Sequence, residues 1–109
     1  MVKIDTDREG MGMIFKDWQV ILMNKMLSED IEYNSRQAWN YINEQLDPEK
    51  ISRASVINFL EYCLNEGYFN KNEESGKGGY HGVYYRVMTE QEFWKTIAKK
   101  INDVLAPFI

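Results

Sequence analysis

A mainly α-helical domain with one small β-hairpin is the fold class the sequence predicts, and three observations predict it. Apolar residues recur at helical spacing in four separate stretches. The segment from Tyr68 to Val87 holds two β-rich runs around a glycine-rich middle. The order along the chain is helix, helix, helix, strand, strand, helix. Three helices followed by a hairpin is the order of a winged helix-turn-helix, here with an additional C-terminal helix.

Each element has a local reason. Residues 1–13 are polar and contain glycine and methionine, and are expected to be a flexible lead. Ile14, Trp18, Ile21, Leu22 and Met26 share one face of a first helix over 14–27. An acidic connector, 28–33, follows. Asn34 with Gln37 three residues on forms a capping box. Ala38, Trp39, Ile42 and Leu46 then form a helical face that Asp47 and Pro48 end. Ser52 caps a third helix, whose buried face is Val56, Phe59, Leu60, Cys63 and Leu64. Gly67 stands where a left-handed helix stop is wanted. Tyr68–Lys71 and Val83–Val87 read as strands, with Asn72–Gly79 as the tip between them. Thr89 and Glu92 make another capping box. They open a fourth helix carrying Phe93, Trp94, Ile97, Ala98, Ile101 and Leu105, with Pro107 past its end. The expected organisation is a lead over 1–13, a winged-helix domain over 14–88 and an amphipathic helix over 89–109.

With 109 residues the chain suits one domain with a real core. A single cysteine, Cys63, excludes an intramolecular disulfide and a multi-cysteine zinc site, and fits a reducing compartment. Its place on the apolar face of the third helix reads as a buried structural thiol. No apolar run approaches the ~20 residues that span a bilayer, so a cytoplasmic protein without membrane association is expected. One histidine and one cysteine give no triad and no metal site. The expectation is therefore a non-enzyme without cofactor, metal or evident small-molecule effector.

The net charge is −4, which alone argues against a nucleic-acid ligand, but the charge is unevenly placed. Residues 1–49 carry five Lys/Arg against ten Asp/Glu, whereas 50–86 carry five against four. On the third helix Arg53, Ala54, Ser55, Ile57, Asn58, Glu61 and Tyr62 are not needed for the core. Arginine can pair bidentately with guanine and asparagine with adenine, and serine can bond a phosphate or a base. In the hairpin Lys71, Lys77, His81 and Arg86 can meet phosphates. The fourth helix carries Phe93, Trp94, Ile97, Ile101, Val104 and Leu105, a generous stripe for packing on one side. A homodimer through it would match a palindromic operator.

The chain resembles the penicillinase-repressor family of winged-helix regulators, which includes the β-lactamase and methicillin-resistance repressors. Four pieces carry the resemblance across about residues 14–88. They are Trp18-Gln19-Val20-Ile21, Asn34-Ser35-Arg36-Gln37, Ser52-Arg53-Ala54-Ser55-Val56 running to Glu66-Gly67, and the hairpin with Tyr84-Tyr85. The resemblance implies a dimer that occupies operator DNA through the third helix and represses transcription. It implies DNA contacts at Ser35, Arg53, Ala54, Ser55, Asn58, Lys71 and Lys77. The family's C-terminal region has several helices, whereas one is expected here. The expected function is thus a dimeric, sequence-specific regulator of transcription acting on double-stranded DNA as a repressor. The alternative is a winged-helix protein–protein interaction module without specific DNA binding.

Overall fold

The computed structural model describes residues 3–76 and 79–109, and the side chains of all of these except 74–81. The chain is mainly helical with a small three-stranded antiparallel sheet. In order the elements are α1 (Asp17–Ser28), β1 (Glu32–Tyr33), α2 (Ser35–Leu46), α3 (Arg53–Glu66), β2 (Phe69–Gly76), β3 (Gly79–Arg86) and α4 (Glu90–Leu105). Short 3-10 turns occupy Gly10–Met13 and Ala106–Phe108. No described helix is long and apolar enough to cross a membrane.

The helix ends follow from their caps. The Asn34 side chain accepts from the Gln37 amide at 2.8 Å while Gln37 Oε1 accepts from the Asn34 amide at 2.9 Å, so two otherwise orphaned donors are satisfied. Ser52 Oγ accepts from the Ser55 amide at 3.1 Å and opens α3. Gly67 ends it with φ of 84°, a conformation in which any side chain would strain the backbone. Thr89 and Glu92 cap α4 reciprocally.

The sheet order is β1-β3-β2. β1 was not expected: residues 28–33 read as a connector, yet Glu32 pairs with Tyr85 and Tyr33 with Tyr84. The hairpin strands are also longer than their apolar content indicated. Pairing runs from Phe69↔Arg86 to Gly76↔Gly79, through the segment expected to be a loose tip.

The core joins Leu22, Met23, Met26 and Leu27 of α1 to Ala38 and Ile42 of α2, Val56, Phe59, Leu60 and Cys63 of α3, Tyr68 just before β2, and Phe69 and Tyr84 of the hairpin. Cys63 is fully buried, as its helical position indicated, and burial pushes its thiol far above the usual range. The lead contributes too. Met11 and Phe15 are buried in the same core, and the Asp5 amide bonds the Met13 carbonyl at 2.7 Å. The first helix accordingly begins at Asp17 and not at Ile14. The three tryptophans are half-buried at the margin of the core and not at its centre.

The face of α4 differs from the one expected to join two copies. Phe93 and Ile97 are buried in the chain's own core. The Phe93 ring stacks on Phe15 with centroids 6.0 Å apart and meets Tyr68 edge-on at 5.0 Å. Lys100 Nζ, 2.7 Å from Glu66 Oε2 and 4.6 Å above the Tyr68 ring, fixes the next turn. Trp94 and Ile101 stay half-exposed, and Val104 and Leu105 are exposed. They continue into Phe108, 85% exposed. Beside them Ile4, Ile101, Val104 and Leu105 line an open apolar groove of about 420 Å³.

Candidate functional site

α2 and α3 meet through a short turn that polar side chains hold. Asn43, a buried polar side chain, accepts from the Ile51 amide at 2.8 Å and donates to the Ile51 carbonyl at 3.3 Å. Trp39 Nε1 donates to the same carbonyl at 2.8 Å. Lys50 Nζ reaches the Asn43 carbonyl at 3.3 Å. These bonds fix the angle at which α3 leaves α2, and therefore which flank of α3 faces outward.

That flank holds most of the residues singled out in the sequence. Arg53, Ala54 and Asn58 are exposed, and Ser55 is half-exposed with its hydroxyl 2.9 Å from that of Ser52. Arg53 Nη2 donates to Ser35 Oγ at 3.3 Å across 18 residues of sequence. Five predicted positions thus gather where the N-termini of α2 and α3 come together. Ile57, noted in the sequence as outward-facing but assigned no role, is exposed on the same flank.

The hairpin residues are placed differently. Lys71 was expected to meet a phosphate, but its Nζ lies 3.1 Å from Glu61 Oε1 and 3.5 Å from Glu73 Oε1. Its stem crosses Gly82 so closely that a Cβ there would sit 2.1 Å from Lys71 Cε. Arg86 was expected to do likewise, but Nη1 donates to the Leu27 carbonyl at 2.6 Å and secures the end of α1 to β3. Both cations are engaged within the protein because a carboxylate and an open helix-end carbonyl face them across the fold. Lys77 and the side chain of His81 lie outside the described residues.

Glu61, read as an outward surface residue, is the hub between α3 and the hairpin. Its Oε1 accepts from the Tyr84 hydroxyl at 2.6 Å as well as from Lys71. The Tyr84 hydroxyl bond, with the Lys71 ammonium beside it, holds the Glu61 carboxyl below its usual 4.5. Burial chiefly, and then the Glu61 carboxylate, push the Tyr84 phenol up to about 12. A carboxylate depressed in the folded state stabilises the fold fully above its unfolded-state pKa. That contribution disappears as the pH falls through the lower folded-state value. Thermal unfolding of Glu61→Gln should therefore depend less on pH below about 4.5 than that of the parent chain. Parallel profiles for the two would remove Glu61 from the acid response.

A second groove, of about 460 Å³, separates the start of α1 from the outward flank of α3. Trp18 and Phe59 meet edge-on in its wall, 5.5 Å between centroids, and Tyr62 stacks on Phe59 at 6.3 Å. Among the described residues no group of His, Cys, Asp and Glu is placed to hold a metal ion. No protein-family model, curated protein or solved structure matches the chain.

Proposed function

We propose that this chain is a winged helix-turn-helix that binds double-stranded DNA sequence-specifically, as a homodimer, and acts as a transcriptional repressor. The observation that carries the reading is the meeting of Arg53 and Ser35 at the adjoining N-termini of α2 and α3. Ala54, Ile57 and Asn58 lie exposed beyond them. A bidentate donor, an amide and an apolar contact along one exposed helical flank can read base edges in a major groove. The order α1-β1-α2-α3-β2-β3, with β1 added beside β3, supports the winged-helix assignment. For the dimer, the available seam is Trp94, Ile101, Val104, Leu105 and Phe108, since Phe93 and Ile97 are buried in the monomer. A two-fold pairing of α4 would place two α3 helices on one palindrome.

A second reading, a protein-interaction module, is favoured by the internal pairing of Lys71 and Arg86. Selection of bound sequences from randomised duplex DNA, at two salt concentrations, separates the two. An enriched palindrome, with affinity falling steeply as salt rises, is the expected result. No enrichment and no binding at low salt would overturn the DNA reading in favour of a protein partner.

A further inference from the structure

We infer that the groove between the start of α1 and α3 seats the DNA phosphate backbone, with Lys3 and Lys16 as its cations. This rests on the DNA-binding reading. The groove is continuous with the proposed base-reading flank, because Ser55 and Asn58 of α3 form one of its walls. Lys3 and Lys16 line the opposite side, both exposed, and no acidic residue lines the groove. The charge therefore has one sign only, in a chain whose net charge is −4.

Position in the groove, together with freedom from acidic partners, assigns the role. Arg8 is paired with Asp17, Lys25 with Glu29, Lys71 with Glu61, Lys99 with Asp103 and Lys100 with Glu66. Arg86 is bonded to a backbone carbonyl. Lys3 and Lys16, like Arg36, Lys50, Arg53 and Lys95, enter no ion pair among the described residues, and of these six only Lys3 and Lys16 line the groove. An ammonium that is already neutralised releases few counterions when it approaches a phosphate, whereas an unpaired one contributes its full share to the salt-dependent affinity.

The floor of the groove suits a sugar–phosphate strand. Trp18 and Tyr62 present half-buried aromatic surface to the sugars. Backbone contact would then come from the α1 side of α3, with the stem of the hairpin serving to brace α3.

The test is the salt dependence of binding to the selected duplex, comparing the full chain with Lys3→Ala/Lys16→Ala and with Lys71→Ala. Loss of two phosphate contacts per protomer, four per dimer, should lower the slope of log K against log salt by about four. Affinity at ~0.1 M salt should fall by about five- to tenfold per lysine. The loss should be equal on selected and unrelated duplexes, because phosphates carry no sequence. Lys3→Arg/Lys16→Arg should restore the slope, and Lys71→Ala should leave it unchanged. An unchanged slope in the double alanine variant overturns the groove assignment while the DNA reading stands. So does a slope lowered by Lys71→Ala in its place. A parent chain that binds no duplex at low salt overturns both.

Discussion

Under the DNA-binding reading, Arg53→Ala should weaken binding to the selected duplex by about ten- to a hundredfold and relax the preference at a single base position. The guanidinium stands exposed at the first position of α3, where its fork can meet guanine O6 and N7. Ser35 Oγ accepts one of its donors and so limits the rotamers it must give up on binding. Asn58→Ala should relax a different position, one turn along the same flank, by a similar factor. Neither side chain contributes to the core, so the thermal midpoint should stay within a few degrees of the parent. Titration of each variant with the selected and a scrambled duplex at one salt concentration supplies the check. A loss equal on both duplexes would make Arg53 a backbone contact and move base reading elsewhere on α3.

Phe93→Ala should cost about 3–5 kcal/mol of stability and lower the melting midpoint by more than about 10 °C. The ring is fully buried against Phe15, Tyr68 and Trp94, and its removal leaves a cavity that three aromatic neighbours cannot collapse into. Leu105→Asp is the counterpart. It lies beyond the last anchored turn and is exposed, so the monomer should melt as before. Under the homodimer reading, a charge there should dissociate the pair at micromolar concentration. Sedimentation and thermal melts of the two variants separate the roles. Dimers surviving in Leu105→Asp would exclude the C-terminal half of α4 as the interface.

The caps were the most legible part of the chain. Asn34 with Gln37, Ser52, Gly67, and Thr89 with Glu92 mark helix ends by hydrogen bonds that span three or four residues, so a sequence window contains them whole. The buried face of α3 was legible for the same reason. β1 was not, because two residues have no periodicity and only Tyr84 and Tyr85, fifty residues on, define them as a strand. On α4, Phe93 and Trp94 are adjacent apolar residues, and spacing alone cannot say which turns inward. The Tyr68 ring that selects Phe93 lies in the link between α3 and β2. The charged residues were read least well. Exposed cations look alike in a sequence, and only the fold reveals that Glu61 waits for Lys71 while Lys3 and Lys16 face a groove without acids.

The small strand β1 also constrains the route by which the chain can fold. The Arg86–Leu27 bond joins residues 59 apart in sequence, and the β1–β3 pairs beside it enclose all of α2, α3 and β2 in one loop. Closing so long a loop early forfeits chain entropy before any contact repays it, and the cost shrinks once the loop's interior is compact. The α2–α3 pair and the hairpin, whose contacts are local, are therefore the natural early structures. The third strand then acts as a late clasp. Substitutions at Glu32 or Tyr33 should accelerate unfolding and leave the refolding rate almost untouched.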